Sequence, residues 1–316
     1  MQQAKRKKYM PALVGLVLLA ALLAAVRGQQ YLLTLLNFVC MYMISVSGLD
    51  ILFGYSGQIS LGHAAFYAAG AYTSALLTTK LGVPVWIAIA AACLVSLILG
   101  IIVALPASKL IHHFLALLTI SVGQLVYTNA MTGIRSIPKI SLFGFQLKSK
   151  YAFLIFMILM VALFLLIKQR IVYSRVGRAF QAIRENPVAA NGIGINVQKY
   201  KIMAFAISAV FTGFAGAMYA HFVGFISPET FTSSQSVMFL TMLLFGGMGT
   251  FSGPLIGATI VTFLNESLQV LGSYRMMVYG AFILAVLLFL PHGISGIIDI
   301  LRQRLTRRKE PDHADA

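Results

Sequence analysis

The sequence predicts an all-α integral membrane protein, a polytopic bundle of about ten transmembrane helices. Three observations carry this. Of 316 residues, 59% are hydrophobic and only 10% are charged, against about 25% charged in soluble globular chains. That is too little charge to cover a water-facing surface. Apolar runs close to the roughly 20 residues that a helical span needs recur along the chain. The cations sit at the ends of these runs and in the two tails. The same runs exclude a transmembrane β-barrel, whose strands alternate apolar and polar residues. A formal charge of +16 would suggest nucleic acid in a soluble protein. With the cations flanking apolar spans, the partner is membrane lipid, and no nucleic-acid partner is expected.

The spans fall at 10–26, 31–53, 64–79, 84–107, 114–130, 151–167, 202–222, 231–245, 254–272 and 276–290. The third is shorter and milder than the others. Lys5-Arg6-Lys7-Lys8 before the first run also fits a signal peptide; a first transmembrane helix makes the topology consistent. Positive charge marks the cytoplasmic side. Lys5 to Lys8, and Arg302, Arg304, Arg307, Arg308 and Lys309, place both ends inside, so the span count is even. Ten spans also bring the basic loop 168–201 inside, and a non-spanning 64–79 would put it outside. The short basic segment 136–150 falls outside and runs against the charge rule. The organisation is therefore a basic cytoplasmic tail (1–9), one transmembrane domain (10–300) with the loop 168–201, and a second basic cytoplasmic tail (301–316). Cys40 and Cys93 lie in spans, where cysteine packs as a small apolar side chain.

Three features stand out within this frame. The first is Gly54-Tyr55-Ser56-Gly57-Gln58-Ile59-Ser60-Leu61-Gly62-His63. Irregular backbone at membrane depth survives only where protein or a water-filled path satisfies it. The residues alone leave two readings, a segment lining a translocation path or a plain cytoplasmic turn. A related pattern recurs late: Leu52-Phe53-Gly54-x-x-Gly57-x-x-Ser60 matches Leu244-Phe245-Gly246-x-x-Gly249-x-x-Ser252. Paired glycine-interrupted apolar segments point to a transporter's central site, although a five-plus-five inverted repeat would not pair these two.

The second feature is the cytoplasmic loop. Arg178 to Asn186 opens a short amphipathic helix, and Pro187 starts a new one at its first position. Ala189, Ala190, Gly192 and Gly194 then form a compact surface able to slot into another protein; the plainer reading is a basic loop that only sets topology. The third feature is the set of ionisable residues in or beside spans, with Asp50 and Glu266 the deepest. Such residues face a bundle interior or a path. The scattered His63, His112, His113, His221 and His292 show no metal-site spacing and read as structural. No Gly-x-x-x-x-Gly-Lys-Ser/Thr phosphate loop occurs, so ATP chemistry is not expected on this chain, which reads as a transport subunit rather than an enzyme and needs no cofactor or metal of its own.

The segment from Leu52 to Phe66 closely resembles the signature of branched-chain amino acid permeases of the ATP-binding-cassette (ABC) type. His113 to Ile120 with Gly123, Arg178 to Asn196, Ile226-Ser227-Pro228 and Phe245 to Ala258 are similar to further segments of that family, specifically its longer, second permease type. The resemblance implies an all-helical importer permease in the bacterial inner membrane. It implies a second, non-identical permease as partner, two cytoplasmic ATPases that use the ATP, and a periplasmic or lipid-anchored solute-binding protein. It implies a docking loop at Arg184, Glu185, Ala189, Ala190 and Gly194. It implies a path near Asp50, Gly54, Gly57, Gln58, Ser60, His63, Gln124, Gly246 and Gly249. Importer loops carry Glu-Ala-Ala, three residues, then Gly. Here Val188-Ala189-Ala190 and Gly194 keep the spacing and lack the Glu. Asp50 stands where the family carries Asn, and Gln124 where an acidic residue is common. Branched-chain amino acids are the expected solutes, and relatives that carry urea, short amides or nucleosides widen the class. The alternative is an autonomous ion- or proton-coupled carrier with Asp50 and Glu266 as coupling sites, or a membrane scaffold or channel; neither needs a docking surface in 168–201.

Overall fold

The computed structural model describes residues 28–108, 133–142, 145–146 and 149–274, together with Thr119 and scattered positions between 277 and 296. The two tails, the first span, nearly all of the fifth, much of the tenth, His112, His113, His292 and Gln124 lie outside the described residues.

Four helices there are long and apolar enough to cross a bilayer: Gln30–Tyr55, Val85–Pro106, Lys150–Val172 and Val197–Val223. In chain order the helices are α1 (Gln30–Leu49, continued by a π-turn Asp50–Tyr55), α2 (His63–Lys80), α3 (Val85–Ala107), α4 (Lys150–Val172), α5 (Arg175–Glu185), α6 (Pro187–Gly192), α7 (Val197–Val223), α8 (Ser233–Gly246) and α9 (Gly253–Ser267). A two-residue hairpin, Ser141–Leu142 with Phe145–Gln146, precedes α4.

Local chemistry explains where the helices break. The Ser149 side chain accepts from Tyr151 N–H at the start of α4, and Ser174 accepts from Val176 and Gly177 N–H at the start of α5. Asn186 closes α5, and its side chain accepts from Val188 and Ala189 N–H to open α6, with Pro187 at the first position. One residue thus joins the two loop helices, as the sequence predicts. Gly224, at φ +76°, ends α7 in the left-handed region that glycine enters without a Cβ clash.

Helix α7 is the hub. At about 1.5 Å per residue its 27 residues reach about 40 Å, more than the roughly 30 Å apolar core of a bilayer. Its small residues let neighbours close in, which is how membrane helices associate without a hydrophobic drive. A Cβ on Gly213 would meet Ser96 of α3, and one on Gly216 would meet the Tyr67 backbone of α2. By contrast α3 and α4 present Leu94, Ile98, Ile102, Leu159, Leu163 and Leu166 outward, the surface expected of helices whose solvent is hydrocarbon.

Contacts along the helices give their directions. Helix α1 runs antiparallel to α7, with Gly48 against Phe211 and Phe38 against Phe222. It runs parallel to α4, with Asn37 bonded to the Lys150 carbonyl and Asp50 to Lys168. Helix α3 is antiparallel to α7, with Ser96 near Gly213 and Gly100 near Ala209. Helices α3 and α4 therefore run the same way. The loop helices α5 and α6 lie at one face. At the opposite face the segment 133–140 ties onto the end of α7. Ile134 and Ile226 exchange backbone bonds of 2.9 and 3.0 Å, and Ile137 N–H donates to the Gly224 carbonyl. His221 is structural there. The Pro138 carbonyl can only accept, so Nδ1 carries the proton (2.7 Å) and Nε2 accepts from Ser74 (2.7 Å).

Helix α2 has 18 residues, about 27 Å. Its first residue, His63, bonds to Ser208, eleven residues along α7 from Val197. Helix α2 therefore starts part-way along α7, and the non-helical stretch Ser56 to Gly62 leads there from the loop-helix end, where Gln58 bonds to the Lys201 carbonyl.

Candidate functional site

The two glycine-interrupted segments meet on the loop-helix side of the bundle, around Asp50. A π-turn carries Asp50 at the end of α1. Its Oδ2 accepts from Lys168 Nζ at 2.6 Å, and its Oδ1 accepts from Gly249 N–H at 2.7 Å. Lys168, near the end of α4, also donates to the Thr250 carbonyl at 3.0 Å. The pair is shut away from solvent, with Asp50 at 0% and Lys168 at 1% exposure. Two charges taken out of water are compensated here by each other and by backbone groups of two adjacent residues of one turn. Removing one partner of such a pair costs about 3–5 kcal/mol, because the other charge is left buried and alone.

Arg184 completes the junction from below. Its guanidinium donates to the Gly54 carbonyl, and its stem lies against Gly57, where an added Cβ would stand 3.2 Å from Cγ. A Cβ on Gly54 would collide with the Asp50 carboxylate and with Gly249 N. Gly249, at φ +70°, turns its N–H toward Asp50. Both close approaches need glycine. Thr250 holds the rest of the turn: its hydroxyl donates to the Gly247 carbonyl at 2.9 Å and accepts from Gly253 N–H at 3.0 Å. Gly246 packs at the α8–α9 crossing, against Gly253 and Gly257.

Gln58, Ser60 and His63 form a second group, against α7. Gln58 Nε2 donates to Ser56 Oγ at 2.9 Å and to the Lys201 carbonyl at 3.2 Å. His63 stands between Ser60 (3.0 Å) and Ser208 (2.7 Å). Leu61 N–H donates to Thr119 Oγ1. Protein groups thus satisfy the irregular stretch, and its side chains are filled in rather than lining an open channel in this state.

Glu266 is not deep. It lies one residue from the end of α9, accepts from Tyr31 OH at 2.6 Å and from Gln269 at 2.6 Å, and is only partly buried. An apolar run around a carboxylate does not show that the helix is about to end. Lys168 is the residue that sequence reading passed over, counting it as the first charge of the loop. A signal was present: Asp50 and Lys168 are opposite charges in the last turns of two spans that run the same way. Among the described residues no group of three or more His, Cys, Asp or Glu is placed to hold a metal.

The loop residues divide by role. Ala190 is buried at 2%, and Ala189 and Glu185 are exposed. Gly194 sits at φ +85° with open space around it. Val188 and Ile193 are 81% and 75% exposed. Beside them Pro187, Asn191, Gly194 and Ile195 line an open hollow of about 590 Å³.

Residues 31–287 match the family described as "Branched-chain amino acid transport system / permease component". The chain is 31% identical over 285 residues to the high-affinity branched-chain amino acid transport system permease protein LivM of Salmonella typhimurium, covering 80% of this chain and 67% of the relative. It is 30% identical to LivM of Escherichia coli K12 over 322 residues, covering 92% and 75%. It is 25% identical to LivH of Escherichia coli K12, a second permease of the same kind of system, over 286 residues, covering 81% and 91%. No solved structure matches.

Proposed function

The chain belongs to the permease family of branched-chain amino acid transport systems, in its longer, LivM-like form, and from that premise we propose how this subunit is oriented, energised and loaded. It is a multi-pass membrane protein and a permease subunit of an ABC importer, a transport subunit rather than an enzyme. The face carrying α5 and α6 is cytoplasmic, and both chain ends lie there. Two ATPase subunits dock on the importer, one of them on α6 of this chain. A LivH-like sister permease forms the other half of the path, and a solute-binding protein delivers cargo at the opposite face. The cargo is a branched-chain amino acid.

The observation that supports this reading is α6. Surface helices bury their apolar side chains against their own protein. Here Val188 and Ile193 point away at 81% and 75% exposure, on a helix fixed in place by the Asn186 cap and the buried Ala190. An apolar shelf held rigid beside an open hollow is a socket for a partner. The lost Glu of the importer motif leaves the contact to shape rather than charge.

Gly194→Glu tests the docking. It places a charge at the rim of the hollow, in open space, at a left-handed backbone position (φ +85°) where the added side chain costs about 1–2 kcal/mol locally. The variant is expected to insert and fold while co-purification of the ATPase subunits with the chain is lost. Normal co-purification would show that docking lies elsewhere.

A further inference from the structure

We propose that Asp50, Lys168 and Arg184 are the positioning residues that carry movement of the loop helices into the membrane helices, by clamping the Gly246–Ser252 turn onto the π-turn of α1. This rests on the reading of α6 as the ATPase-docking helix.

Four observations lead there. The contacts form one unbroken chain. Helix α6 is joined to α5 through Asn186 alone, which caps both, so the two loop helices move as one lever. Arg184, in the last turn of α5, grips the Gly54 carbonyl. Gly54 lies in the π-turn with Asp50, and Asp50 holds Gly249 N–H while Lys168 holds the Thr250 carbonyl. Coupling between sites needs a contiguous physical connection of this kind, together with an element that has two arrangements.

The second observation identifies the turn suited to be that element. The carboxylate takes the N–H of Gly249 and the ammonium takes the C=O of Thr250. These bonds read the orientation of one short turn, and a rotation of that turn breaks both together. Gly247 and Gly249 have φ of +109° and +70°, so the turn rearranges without a Cβ obstructing it.

Third, there is room. A hollow of about 500 Å³ adjoins the pair on the loop-helix side, lined by Tyr55, Lys168, Tyr173 and Phe251 among others. The turn has space to move into, and water has space to reach the charges when they part. Fourth, a buried ion pair is a poor means of plain stabilisation, since well-packed apolar residues do as well or better. Its particular property is that it is strong when formed and costly when half-formed, which suits a two-position clamp.

The test uses the complete transporter in vesicles: this chain with its sister permease, ATPases and binding protein, and radiolabelled leucine as probe. Arg184 is an exposed residue of α5, so Arg184→Ala leaves no core cavity. It is expected to assemble normally and hydrolyse ATP within about twofold of the parent. Leucine moved per ATP should fall about tenfold, within the range of about 5–150-fold typical of coupling between sites. Arg184→Lys, which keeps the charge but not the planar fork, should restore part of it. Asp50→Asn combined with Lys168→Gln removes both charges at nearly constant volume and should also assemble and lose leucine per ATP. Unchanged leucine per ATP in Arg184→Ala and in the double variant would overturn the proposal, leaving the contacts as static fasteners. Loss of ATPase binding in Arg184→Ala would overturn it too, by assigning Arg184 to the docking surface. If the parent itself shows no ATP-dependent uptake, it is the reading of function that has failed.

Discussion

The two glycine-interrupted segments share a sequence pattern and do opposite jobs. In the first, Leu52-Phe53-Gly54-x-x-Gly57-x-x-Ser60, the helix loosens into a π-turn and then runs without regular structure to His63. It contributes side chains: Asp50 to the ion pair, Gln58 to Lys201, Ser60 to His63. In the second, α8 stops at Gly246 and a tight turn leads straight into α9. It contributes backbone, the Gly249 N–H and the Thr250 carbonyl. The position of Asp50 is Met242 in the second segment, and the counterpart of buried Ser60 is exposed Ser252. A shared glycine spacing therefore shows where helices are interrupted, and the polar residues around it decide which segment recognises and which is recognised.

The comparison is broken most severely at the charge. Lys168→Met should destabilise the chain by about 3–5 kcal/mol by stranding the Asp50 carboxylate, read as a large drop in the thermal unfolding midpoint in detergent. Adding Asp50→Asn should recover most of that drop, which a merely disrupted packing would not. Next come the glycines. Gly54→Ala drives a methyl into the Asp50 carboxylate and Gly249 N, at about 1–3 kcal/mol for overpacking. Gly249→Ala forces a left-handed backbone, at about 1–2 kcal/mol. Both should lower the same midpoint, Gly54→Ala the more. The smallest effects sharpen the contrast between the segments. Ser60→Ala removes a buried hydroxyl bonded to His63 and should cost about 1 kcal/mol. Ser252→Ala, at an exposed position with no side-chain cap bond, should stay within about 0.5 kcal/mol of the parent. Equal losses at the two serines would mean that the segments are equivalent after all.

Much of the scaffold is legible in apolar run length. The expected spans 31–53, 151–167 and 202–222 reappear as Gln30–Tyr55, Lys150–Val172 and Val197–Val223, each longer because helices continue past the apolar boundary, the last two into charged residues. The break at Pro187 is legible because proline at a first helical position and Asn as a cap act locally. What joins distant segments is not legible. The match of Asp50 with Lys168, 118 residues on, becomes legible only once the two spans are known to run side by side in the same direction. The mild run 64–79 likewise does not show that its helix starts part-way along α7, since that position is set by the His63–Ser208 contact. The late glycine pattern points to the right partner, yet a ten-span inverted repeat would not have paired it with the first. Helix direction and tertiary packing place the two together.

On the function proposed above, this permease is driven from its loop helices by ATP used on another chain. The most direct test is leucine uptake into vesicles carrying the assembled transporter, with ATP on the α5–α6 side held constant while the proton gradient is collapsed. Uptake should depend on that ATP and persist through the collapse. Uptake that stops when the gradient is lost, with ATP still present, would contradict the account and favour a proton-coupled carrier.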